Sequence, residues 1–227
     1  MDPSDLKKAE AGVNRRLVLI ALALAFASSM AVMLVVLRLM YTGELYFAFL
    51  VWNLFLAWLP FLFAMVVYGG GERPLVLGVM GPLWLLFLPN ALYLVTDLIH
   101  LYPWDNVPFW YDAIMLFTFA LIGLMLGLMS LYLVHAVVAR RWGARVGWSF
   151  VLATSALSGL GVYIGRFLRW NSWDMFTNPL RVLADIAVSL LHPELFLKTM
   201  VTTGLLTAVF ILAYVVLFMT PRLALNE

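Results

Sequence analysis

The chain contains no cysteine, which excludes disulfides, thiolate metal ligands and cysteine nucleophiles, although it does not fix a compartment. Charge is also scarce. Lys, Arg, Asp and Glu together make up 11% of the 227 residues, and the formal net charge is only +2. A soluble domain carries roughly 25% charged residues. The basic residues lie at segment ends and form no patch, so nucleic acid is excluded as a partner. No Gly-x-Ser-x-Gly, His-Glu-x-x-His or phosphate-binding loop occurs, so no catalytic class follows from motif and no cofactor is indicated.

Apolar residues fill the space that charge leaves. They make up 65% of the chain, and the mean hydropathy is +1.00. Runs of about 20 apolar residues are long enough to cross a bilayer. The expected fold is an all-α integral membrane protein: about six transmembrane helices, with membrane lipids as the surrounding partner. The first run, Leu17 to Leu37, exceeds the roughly 7–15 residues of a signal-peptide core and reads as a retained span. The expected organisation is a cytoplasmic N-terminal segment 1–16, a six-span domain 17–220 and a cytoplasmic tail 221–227. Nine of the 14 basic residues, among them Lys7, Lys8, Arg15, Arg16, Arg140, Arg141 and Arg145, then fall on one side. The positive-inside rule makes that side cytoplasmic, with both termini there.

Span two, Leu45 to Tyr68, holds one strongly polar residue, Asn53, which suits either an interhelical hydrogen bond or an internal cavity. Gly69 to Pro74 reads as a turn. Span three carries Pro82 and Pro89, and the second of these implies a kink or a broken helix aiming backbone groups at a ligand. Span four, Ala113 to Val138, carries Gly123 and Gly127 in a small-xxx-small pattern, with His135 packed near its end. Arg140, Arg141 and Arg145 form a basic loop before span five, Gly147 to Gly165. Leu180 to Leu191 is too short to span. Its leucines lie opposite Arg181, Asp185 and Ser189, which suits a short interfacial amphipathic helix in the loop before the last span. Span six, Leu195 to Met219, places Thr199, Thr203 and Thr207 four apart, where each hydroxyl can bond its own backbone.

Two stretches stand out from this scaffold. In Leu88 to Leu101, Asn90, Tyr93, Asp97 and His100 follow at spacings of three, four and three, which places all four on one helical face. The second, Tyr163 to Asp174, contains Arg166, Arg169, Asn171 and Asp174, and continues a face that starts at Ser155, Gly159 and Val162. Spans three and five run in the same direction, so these polar ends can meet on the outer side. An unpaired Asp or Arg at the bilayer centre costs about 2.5–3.5 kcal/mol on insertion scales, less near the interface, so Asp97 and Arg166 should neutralise one another or hold a ligand. Arg166 and Arg169 could instead grip a small anionic ligand, a phosphate or carboxylate. Asp97, His100, Asp105 and Asp112, with Asp174 and His192 on the same side, are the oxygen and nitrogen donors available for a divalent metal.

Leu88-Pro-Asn-Ala-Leu-Tyr-Leu-Val-Thr-Asp-Leu-Ile-His and the later Tyr163-Ile-Gly-Arg-Phe-Leu-Arg-Trp-Asn-Ser-Trp-Asp together resemble a bacterial membrane family known as domain of unknown function 1361. The resemblance covers spans two to six. It implies a multi-span protein of the bacterial cytoplasmic (inner) membrane and brings no activity with it. Three functions stay open: binding or transport of a small anionic or zwitterionic solute or lipid headgroup, a membrane-embedded enzyme acting on an envelope lipid or glycan, and a structural or assembly role.

Overall fold

A computed structural model describes residues 3–70, 73–104 and 106–219; Gly71, Glu72, Asp105 and the expected tail 221–227 lie outside the described residues. Every described element is helical, as expected of a chain whose backbone polar groups must be satisfied within lipid. In order they are α1 (Pro3–Thr42), α2 (Ala48–Gly69), α3 (Pro74–Thr96), a 3₁₀ turn (Asp97–His100), α4 (Phe109–Trp142), α5 (Ala144–Phe167), α6 (Asp174–Thr177), α7 (Pro179–Leu191) and α8 (Pro193–Met219). Six stretches are long and apolar enough to cross a membrane: 15–42, 48–69, 74–100, 109–142, 144–167 and 193–219. The protein is therefore a six-helix membrane bundle with one short amphipathic helix before the last span.

α4 forms the centre. It packs against α1, α2, α3, α5 and α8, and buries Met115, Leu116, Phe119, Leu126, Leu131 and Val137. Its small residues explain how α3 approaches so closely. A Cβ on Gly123 would lie 2.6 Å from the Ala91 carbonyl oxygen, and one on Gly127 would lie 3.1 Å from the Ala91 Cβ. α1 and α8 sit at the periphery and present apolar side chains outward, including Leu22, Phe26, Leu205 and Leu212.

The basic loop expected between spans four and five is a single residue. Gly143 adopts φ 91° and ψ 161°, a conformation open to glycine, and turns α4 directly into α5. Arg140 and Arg141 thus close α4, and Arg145 opens α5. α3 runs through Pro82 and Pro89 without a break. The threonines of α8 divide their roles: Thr199 Oγ1 donates to the Leu195 carbonyl at 2.8 Å, whereas Thr207 Oγ1 reaches across to the Ser155 carbonyl at 3.4 Å. His135 is buried among Trp148, Tyr214 and Phe218, its Nδ1 2.6 Å from the Tyr214 hydroxyl. Because the links are short, consecutive spans alternate in direction, and the Asp97 turn, the end of α5, α6 and α7 gather at one end of the bundle.

Candidate functional site

The first polar stretch changes geometry where its charge begins. α3 ends at Thr96, and Asp97–His100 continues as a 3₁₀ turn, so the four expected side chains no longer share one face. Asn90 donates through Nδ2 to the Phe87 carbonyl and to Ser172 Oγ, both at 3.0 Å, and so ties α3 to the loop after α5. Tyr93 lies under Arg166, with the guanidinium carbon 4.0 Å from the ring centre. Asp97 is 1% exposed. His100 stays beside it, with Nδ1 3.2 Å from the Asp97 carbonyl oxygen and 4.0 Å from Asp97 Oδ1, and its ring against Phe49.

Asp97 and Arg166 meet, as the shared direction of the two spans requires. Arg166 Nη2 donates to Asp97 Oδ1 at 2.5 Å and to Thr96 Oγ1 at 2.8 Å, and Nε also donates to Thr96 Oγ1 at 3.2 Å. The other carboxylate oxygen, Oδ2, accepts from Asn53 Nδ2 at 2.8 Å. Asn53 therefore makes the interhelical bond that its sequence position suggested, and the partner is the buried carboxylate. Thr96, the hydroxyl that completes this net, carried no spacing signal. With both Asp97 oxygens taken, the net locks α2, α3 and α5 together at one end.

Arg169 does not share a face with Arg166. α5 ends at Phe167, and Arg169 stands beyond it at φ 61°, exposed and without a hydrogen bond or ion pair among the described residues. Its left-handed backbone reverses the chain so that the Trp170 N–H reaches the Ile164 carbonyl at 3.4 Å. Trp170 Nε1 then donates to Asp185 on α7 at 2.8 Å, which holds α7 over this end. Asp174 serves its own turn: Oδ2 accepts from the Asn171 N–H at 2.6 Å and from Asn171 Nδ2 at 3.3 Å.

The donors considered for a metal are dispersed. Asp112 is bound at two points by Arg38, Nε to Oδ1 at 2.8 Å and Nη2 to Oδ2 at 3.2 Å. Asp174 closes its own turn, His192 is exposed between α7 and α8, and Asp105 lies outside the described residues. Among the described residues no three His, Asp or Glu side chains gather as a metal site.

What the ends of α3 and α5 do enclose is a cavity of about 470 Å³. α3 packs against both α2 and α5, which flank it without extensive contact of their own, and α7 covers the gap. Toward the middle of the spans the walls are apolar, Leu56, Pro82, Leu85, Leu157 and Leu160, with Pro82 and Leu157 exposed on the outside of the bundle. Toward the Asp97 end they become polar and aromatic, with Asn53, Asn90, Tyr93, Trp170, Asn171 and Ser172. Gly161 shapes the boundary, since a Cβ there would collide with the ring of Pro89. Neither Arg166 nor Arg169 lines this space. Sequence spacing found Asn90, Tyr93 and Asn171, but Trp52 comes from α2, and Trp170 and Ser172 are brought in by the turn after α5.

A family model described as "Protein of unknown function (DUF1361)" matches residues 52–216, a stretch that includes every residue lining the cavity. No curated protein and no solved structure matches the chain.

Proposed function

The chain belongs to this family of proteins of unknown function, and from the shape of its cavity we propose that it binds a membrane amphiphile, with the apolar chain between α2, α3 and α5 and the head at the Asp97 end. One observation carries this reading. A single space of about 470 Å³ passes from leucine and proline walls to amide, hydroxyl and aromatic walls along the direction of the spans. A small water-soluble solute would leave the leucine-lined part unfilled, whereas a lipid chain fills it with matched surface. The ion pair of Asp97 and Arg166 supports the reading indirectly. The pair is neutralised and both Asp97 oxygens are engaged, so it braces this end of the bundle, and Arg166 does not line the cavity. The distribution of basic residues supports an outward-facing head site, because among the described residues Lys7, Lys8, Arg15, Arg16, Arg73, Arg140, Arg141 and Arg145 belong to the opposite ends of the spans.

The test is lipid retention. Protein taken from membranes in a non-lipid detergent and analysed by native mass spectrometry should carry a bound amphiphile. Leu160→Trp, which fills the apolar part, should fold with an unchanged helical spectrum and carry none. Equal retention by the variant would remove the cavity as the binding place.

A further inference from the structure

The polar end of the cavity is lined by uncharged hydrogen-bonding groups and aromatic faces, and this lining selects the head group. Three asparagines line it, and each has its Nδ2 committed to a partner that can only accept. Asn53 donates to the Asp97 carboxylate, Asn90 to the Phe87 carbonyl as well as to Ser172, and Asn171 to the Asp174 carboxylate. A carboxylate or carbonyl oxygen cannot donate, so these partners fix which end of each amide is nitrogen. The three Oδ1 atoms are acceptors without partners among the described residues, while the second Nδ2–H of Asn53 and of Asn171 and the Trp52 Nε1–H remain as donors. The hydroxyls of Tyr93 and Ser172 can donate or accept. No Lys, Arg, Asp or Glu lines the cavity among the described residues.

Such a lining rejects a phosphate. A phosphate finds no cation on the wall and would have to be desolvated next to leucine. It suits an uncharged head whose hydroxyls both donate and accept. Trp52, Tyr93 and Trp170 border the same end and offer flat apolar surfaces to the C–H face of a ring. Building on the amphiphile reading, we propose that the head is an uncharged sugar or similar polyol, so that the ligand is a neutral glycolipid. This changes the ligand class expected from the two arginines alone: the anionic head gives way to a neutral, hydroxylated one.

The experiment compares heads on one tail. The full-length protein in phospholipid nanodiscs is titrated with octyl glucoside, octyl phosphate and octyl trimethylammonium, each below its micelle concentration, and the rise in unfolding temperature is followed. Octyl glucoside should stabilise at roughly tenfold lower concentration than octyl phosphate. Asn90→Leu and, separately, the solvent-side Asn171→Ala should bring the two into line while each still responds to the octyl tail. Equal potency of the three heads on the wild type would overturn the sugar assignment and leave the amphiphile reading standing. A preference for the trimethylammonium head would also overturn it, assigning the amide oxygens to a cation. Failure of every octyl compound to stabilise the wild type would overturn both.

Discussion

Arg38 and Asp112 stand 74 residues apart and form a two-point ion pair between α1 and α4, with side chains 3% and 2% exposed. The guanidinium also lies 4.5 Å from the centre of the Phe47 ring, and Nη1 is buried without a hydrogen-bond partner among the described residues. Fork geometry on a carboxylate fixes the rotation of one helix relative to the other, which apolar contacts alone leave loose. α1 packs only at the periphery, so this pair is its strongest directional tie to the bundle.

Removing one partner of such a pair strands the other charge. Asp112→Ala should therefore cost about 3–5 kcal/mol, and the double replacement Arg38→Met with Asp112→Leu should cost much less. Reversible unfolding in mixed micelles measures both. A double variant as unstable as Asp112→Ala would show that the loss comes from the missing pair itself and not from a stranded arginine.

The Asp97–Arg166 pair should behave as a coupled unit with Asn53. Asp97→Asn keeps the volume and one acceptor oxygen but removes the charge that Arg166 faces and turns the other oxygen into an N–H donor. A double-mutant cycle of Asp97→Asn and Arg166→Met should give a coupling of about 2 kcal/mol, within the range for residues in one hydrogen-bonded net. Additive losses would mean that the two side chains stabilise α3 and α5 independently.

The close passage of α5 and α8 gives a third expectation. A Cβ on Gly159 would lie 2.7 Å from both the Thr203 carbonyl oxygen and Thr207 Oγ1, so the backbones meet through glycine. Gly159→Val should separate the helices and cost about 1–3 kcal/mol. The same change should expose amides of α8 to hydrogen exchange and leave those of α2 protected. Exchange that rises equally in α2 and α8 would place the effect outside this seam.

The parts of this architecture that depend on composition and period were legible in the sequence. Six apolar runs and the two-faced segment near Leu180 sufficed for the spans and for α7, because lipid leaves the backbone no alternative to helices. The meeting of Asp97 with Arg166 followed from the parity of the spans. Contacts across long separations were not legible: nothing in the spacing of Arg38 or Asp112 announces the other, and Asp112 read as a loop donor for a metal. Local geometry also escaped where a charged residue took a role usually given to glycine. The change to a 3₁₀ turn at Asp97 moved His100 off the face of Asn90 and Tyr93. The left-handed Arg169 ended the helix before it could share a face with Arg166. The cavity was invisible for a third reason, since its aromatic rim depends on that same turn folding Trp170 to Ser172 back over α3.

Arg169 offers the sharpest separation of a backbone role from a side-chain role. Its φ of 61° costs a non-glycine residue roughly 1–2 kcal/mol, partly offset on replacement because glycine has more freedom to lose on folding. Arg169→Gly should therefore raise stability by up to about 1 kcal/mol, and Arg169→Ala, which keeps the strain and removes the guanidinium, should change it little. Because Arg169 is exposed and does not line the cavity, both variants should retain the bound amphiphile at the wild-type level. If Arg169→Gly and Arg169→Ala both lose the amphiphile while folding normally, the guanidinium reaches the head group from the rim. The strained turn would then be the device that aims it, and the ligand would have to carry an acceptor alongside its donors. If only the stability of the glycine variant changes, the strain serves the path of the chain. The turn then exists to carry Trp170, Asn171 and Ser172 over the end of α3, where they complete the polar wall.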